Sequence, residues 1–196
     1  MTSTTTTGAG AVPDKSPTSP KRVPALFGSR LNARDLVFIG VFAAAAKLSA
    51  IVIALAGGGL NPLALILKNL IVATLLVVLL VKVAKPGTLM IYTAVTVMVG
   101  SLLSGSAMML APGAVIGAFF GEIFWRRPWI AAAVSELIAK GVALAVGWVF
   151  LRESPALMNV VAPVVLLGAT GTLFGLWLAR STVKELRHAG FLQRFS

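Results

Sequence analysis

PLALILKNLIVATLLVVLLVKVAKPG, residues 62–87, is an apolar run that stops at two lysines, a proline and a glycine. Its first part, 62–81, has the length of a membrane-crossing helix, for which about 20 apolar residues suffice. Pro62 stands in the first turn, where a helix tolerates proline. Lys82 and Lys85 mark the side of the membrane on which the helix ends, because cytoplasmic connections carry an excess of Lys and Arg. The same pattern extends outward in both directions. Apolar runs occupy about 35–56, 62–81, 88–103, 107–125, 129–151 and 156–179. Basic residues collect before the first run, between the second and third, between the fourth and fifth, and after the sixth.

On that side stand Lys15, Lys21, Arg22, Arg30, Arg34, Lys82, Lys85, Arg126, Arg127, Arg180, Lys184, Arg187 and Arg194. The opposite side has Arg152, next to Glu153, and the remaining basic residues, Lys47, Lys68 and Lys140, fall within the runs. This asymmetry predicts an all-α membrane protein, a six-transmembrane-helix bundle of the plasma membrane with both termini cytoplasmic. It argues against dual topology, which needs a weak bias. Trp125, Trp129, Trp148 and Trp177 fall near the expected interfaces, as an aromatic belt should. The bundle is expected over 34–181, between a disordered basic tail at 1–33 and a basic amphipathic tail at 182–196 lying on the membrane surface. Ala54-Leu55-Ala56 has the form of a signal-peptidase site. The run before it exceeds the roughly 7–15 residues of a signal sequence, so the first helix is expected to be retained.

Composition agrees. Hydrophobic residues make up 58% of the 196, with a mean hydropathy of +0.94, more apolar surface than a soluble domain of this size can hide. In a soluble protein a net charge of +11 would suggest nucleic acid; here the positive-inside bias accounts for it. The chain has no cysteine and one histidine, His188, near its end, so neither a disulfide nor a metal centre built on Cys or His is expected. Nucleotide loops, Ser/His/Asp sets and acid pairs at catalytic spacing are missing, so no enzyme activity and no cofactor are expected.

Ionisable residues inside a span are costly and point to function. Lys47, Lys68, Glu136 and Lys140 are deep. Glu136 and Lys140 are four apart on one helix and share a face. They are either an internal ion pair or the wall of a polar cavity. Lys140 lies about 17 Å into its span at 1.5 Å per residue, and Lys47 is at similar depth. Lys68, beside Asn69, either joins them or snorkels outward. Three lysines against one glutamate would give a shared cavity surplus positive charge, suited to a solute with an anionic or strongly polar group. Asn61, Ser104, Ser106, Asn159 and Trp148 are further candidate contacts. Glu122 is close to Arg126 and Arg127 and is expected to pair with one of them.

Small residues recur every four positions at Ala46, Ala50 and Ala54, at Gly113, Gly117 and Gly121, and at Gly171 and Gly175. Such rows let helices approach closely. The glycine rows read as packing within the bundle; the alanine row reads either so or as a docking face for another membrane protein.

Taken together the chain resembles the S component, the small substrate-binding membrane subunit, of an energy-coupling factor (ECF) transporter. The resemblance covers about 31–191. It rests on a basic lead-in to Arg34-Asp35-Leu36-Val37-Phe38-Ile39-Gly40-Val41-Phe42-Ala43, a first outer connection rich in Gly, Asn and Pro, and the Ala-xxx-Ala row. Val81-Lys82-Val83-Ala84-Lys85-Pro86-Gly87, Gly117-Ala118-Phe119-Phe120-Gly121-Glu122-Ile123 and Lys184-Glu185-Leu186-Arg187-His188-Ala189-Gly190 resemble the MptD-like (Trep_Strep) subgroup. It implies capture of a micronutrient from outside, docking through the alanine row on a coupling membrane subunit, and ATP hydrolysis by two ABC ATPases rather than by this chain. Neither the signature residues of vitamin-specific S components nor a His-rich amino terminus is visible, so no particular solute is implied. Other classes remain open: a stand-alone secondary transporter with Lys47, Glu136 and Lys140 as its coupling network, or a membrane scaffold.

Overall fold

A computed structural model describes residues 31–57, 61–103, 107–151 and 155–190. Ser104, Ser106, Arg152, Glu153, most of the amino-terminal tail and 191–196 lie outside the described residues. Six helices follow one another: α1 (Ala33–Gly57), α2 (Pro62–Val83), α3 (Thr88–Leu103), α4 (Ala107–Ile123), α5 (Pro128–Leu151) and α6 (Pro155–His188). The boundaries match the apolar runs within two residues, with one exception. α6 does not stop near 179. It continues as one helix of 34 residues to His188, so residues 182–188 of the tail expected at 182–196 are a continuation of α6. The reason is packing: Val183 is buried, and Leu186 lies against the same core.

Four helices, α1, α2, α5 and α6, are long and apolar enough to cross a membrane. The chain is a multi-span α-helical membrane protein. α3 and α4 have 16 and 17 residues, about 24 and 26 Å, short of a hydrocarbon layer of roughly 30 Å.

Local chemistry sets the helix ends. Asn61 caps α2, its Oδ1 accepting from the Leu63 N–H at 2.9 Å, with Pro62 in the first turn. α2 closes on Ala84 in the left-handed conformation, its N–H donating to the Leu80 carbonyl. Asp35 caps α1 by accepting from the Asn32 N–H at 2.8 Å and also accepts from Lys85 Nζ at 2.6 Å, tying the start of α1 to the α2–α3 turn. Glu122 does not pair with Arg126 or Arg127. Its carboxylate accepts from the Gly87 and Leu89 N–H groups at the start of α3, two donors that the first turn of a helix leaves unsatisfied.

α2 is the central helix, touching α1, α3, α5 and α6; α1 touches α2 and α3 among the described helices. The tight core sits at the basic end, where Ile39, Leu76, Leu79, Leu89, Ala131 and Ala179 are buried. Two seams bring backbones together. A Cβ at Gly113 or Gly121 of α4 would lie 3.0 Å from the Ala139 carbonyl oxygen or 2.8 Å from that of Ala131 on α5. At Gly171 and Gly175 of α6 it would lie 2.5 Å from the Ile66 and Leu70 carbonyl oxygens of α2. Thr74 of α2 crosses the second seam, donating to Leu70 O at 2.8 Å or to Gly175 O at 3.1 Å. The glycine rows thus serve packing within the bundle.

Gly175→Ala should therefore cost about 1–3 kcal/mol, the usual penalty of overpacking. Gly141→Ala, at a site with open space, should be neutral or stabilising by up to about 1 kcal/mol through helix propensity. Thermal unfolding of both variants in one detergent checks the contrast.

Candidate functional site

Above the tight core the helices separate around a cavity of about 200 Å³. α1 contributes Ala46, Lys47 and Ala50, and α2 contributes Lys68, Asn69, Val72 and Leu76. α3 supplies Leu89, Tyr92, Thr93 and Thr96, α4 Ala114, and α5 Ser135, Glu136 and Ala139. Leu76, Leu89 and Tyr92 belong to the buried core and form the floor. The ionisable groups stand above it. They come from helices adjacent in space, which is where side chains too polar for lipid must point.

The carboxylate of Glu136 is engaged by Lys140, one turn on, with Nζ to Oε2 at 2.5 Å. Both side chains are mostly shielded, at 16% and 19% exposure. Lys140 passes close to α6 where that helix has no side chain. A Cβ at Gly168 would lie 3.5 Å from Lys140 Cε and 3.4 Å from Asn69 Nδ2. Asn69 donates through Nδ2 to the Leu65 carbonyl at 2.7 Å, which leaves its Oδ1 free of that bond.

Lys47 is half-buried and Lys68 is exposed at the rim. Their like charges act on each other. Asp35–Lys85 and Glu136–Lys140 are ion pairs, and neither involves Lys47 or Lys68. The cavity thus joins two unneutralised ammonium groups, hydroxyls at Thr93, Thr96 and Ser135, and an apolar floor. It can hold a small solute by an anionic group at one end and an apolar body at the other.

Of the residues singled out in the sequence, Lys47, Lys68, Asn69 and Glu136 converge here, and Lys140 stands behind them as the partner of Glu136. Asn61 is spent on capping α2. Trp148 is 63% exposed and lies in a separate apolar hollow with Leu144, Val161 and Ala162. Asn159 is exposed on α6. Neither reaches the cavity. The alanine row is divided: Ala46 and Ala50 face the cavity, whereas Ala54 is exposed. Tyr92, Thr93, Thr96 and Ser135 were not singled out. Hydroxyl groups among apolar neighbours, one of them adjacent to Glu136, were the available signal.

No family model matches this chain, and no curated protein or solved structure matches it either. The chemistry of the cavity is what speaks to function.

Removing Glu136 alone would leave Lys140 shielded and unpaired, a loss that costs about 3–5 kcal/mol for buried pairs. Glu136→Gln should therefore unfold at markedly lower temperature than the parent, while the double variant Glu136→Leu/Lys140→Met should recover most of the difference. Melting curves of the three proteins in the same detergent decide it.

Proposed function

We propose that this chain is the substrate-binding S component of an ECF-type ABC importer, with all six helices crossing the plasma membrane and both termini in the cytoplasm. The observation that carries this reading is the cavity between α1, α2, α3 and α5, in which, among the described residues, neither Lys47 nor Lys68 has a carboxylate partner of its own. An ammonium group held at membrane depth, as at Lys47, is expensive, and a bound anionic group reached also by Lys68 at the rim would offset that cost. At about 200 Å³ the cavity is below the roughly 300–1,000 Å³ of sites for drug-sized ligands, which suits a small micronutrient.

The basic residues concentrated at one end of the bundle, Lys82, Lys85, Arg126, Arg127 and Arg180, support the cytoplasmic placement of that end. The cavity lies on the far side of the tight core from it, so solute would enter from outside. The chain resembles S components in size, order of elements and the motifs quoted above. On this reading it hydrolyses nothing itself. A coupling membrane subunit and two ABC ATPases drive reorientation and release, and the coupling subunit meets the outward face of α1, where Val37, Val41, Leu48, Val52 and Leu55 are exposed.

The test is purification in mild detergent from the native host, with mass spectrometry of the proteins and small molecules that accompany the chain. Co-purifying ABC ATPases, a coupling subunit and a retained anionic solute are expected. Lys47→Met and Lys68→Met should each lower the amount of retained solute at least about tenfold, roughly 1.4 kcal/mol. Arrival of the chain alone from cells that express such ATPases, with ion-dependent uptake in vesicles, would replace this reading by a secondary transporter.

A further inference from the structure

One face of α6 changes character abruptly. Leu173, Trp177, Arg180, Lys184 and Arg187 follow one another at spacings of four and three, which places them on the same side of the helix. Up to Trp177 the face is apolar, and from Arg180 it is basic. The start of α5 lies alongside it. Between the two helices an apolar hollow of about 390 Å³ is lined by Ile130, Ala133, Leu173, Leu176 and Trp177, with Trp129 and Arg180 at its end. A second hollow of about 450 Å³ is lined by Val183, Lys184, Arg187 and His188, again with Trp129 and Arg180. The shared pair makes them one groove, greasy along one half and cationic along the other.

We propose that this groove binds an anionic phospholipid from the leaflet on the basic side. The phosphate sits among Arg180, Lys184, Arg187 and His188, and an acyl chain lies along Ile130, Ala133, Leu173 and Trp177. Among the described residues, no acidic side chain lines either hollow. Guanidinium groups are well matched to phosphate oxygens, and basic pockets between transmembrane helices on the cytoplasmic side are recognised sites for anionic headgroups. Trp129 and Trp177 stand at the change from apolar to basic lining, the level that tryptophan occupies at a membrane interface. The basic turns are not a loose tail: Val183 is 5% exposed within the core and Leu186 packs against it, so the cationic face is held at a set angle to the apolar one. Free phosphate would engage the basic half alone; the apolar half is what selects a lipid. This inference does not depend on the solute cavity or on the identity of any partner.

The test is native mass spectrometry of the full chain released from detergent with phosphatidylglycerol, phosphatidylcholine or inorganic phosphate added. Retention of one phosphatidylglycerol, with phosphatidylcholine retained at least about tenfold less, is expected. Arg180→Gln/Lys184→Gln/Arg187→Gln should lower that retention at least about tenfold, and Ala133→Trp, which fills the apolar half, several-fold. All three basic side chains are exposed, so the melting temperature without lipid should be unchanged. If the triple variant does not fold, Arg187→Gln alone should still lower retention about threefold. Equal retention of the two lipids, or full retention by the basic variants, overturns the proposal. Competition by phosphate together with an unaffected Ala133→Trp would show an anion site without a lipid and overturn it as well.

Discussion

At Gly171 and Gly175 a methyl group on α6 would stand 2.5 Å from carbonyl oxygens of α2. Two backbones this close leave no room for side chains between them, and the rest of the bundle is arranged around that fact. Lipid tails are as apolar as leucine, so helices in a membrane gain little from burying apolar side chains and associate through close packing and polar contacts instead. The α2–α6 and α4–α5 seams provide the close packing, and the Thr74 hydroxyl adds a polar contact across the first. With α2 held against α6 and α4 against α5, the space left among α1, α2, α3 and α5 becomes the cavity. Lys47 and Lys68, which stand outside the seams, line its wall together with Asn69.

Charge is distributed with the same economy. Glu136 and Lys140 neutralise each other, Asp35 and Lys85 do so at the basic end, and Glu122 serves the bare N–H groups at the start of α3. What is left over is positive. At two of the places where it is left over, inside the cavity and along the last turns of α6, it adjoins apolar surface, so each is suited to a molecule that is anionic at one end and apolar at the other.

Much of this was legible beforehand, for physical reasons. Helix positions followed from apolar run lengths, because a membrane admits few alternatives to a hydrogen-bonded helix. The convergence of Lys47, Lys68, Asn69 and Glu136 followed from the cost of facing lipid. The remainder depended on contacts that no linear pattern encodes. Composition changes at Arg180, so α6 looked finished there, yet Val183 and Leu186 carry it on by packing. Glu122 sits beside two arginines in the chain but beside an amide pair in space. Trp148 is on a helix that lines the cavity but stands in a separate hollow, Asn159 is on α6, which does not line it, and the hydroxyls of Thr93 and Ser135 gave too weak a signal among apolar neighbours. The alanine row of α1 was read as a single face, whereas its members divide between the cavity and the outside.

α1 is also a mechanical element. It carries Lys47 into the wall, it touches α2 and α3 among the described helices, and the Asp35–Lys85 salt link helps to pin its basic end. If α1 swings outward about that pin, the apolar surface it leaves is met at once by acyl chains, which wet it as well as the protein did. Leverage therefore falls on the ammonium group. Moving Lys47 out of this wall would move one charge relative to lipid and to Lys68, and a solute that neutralises that charge would change the cost of the movement.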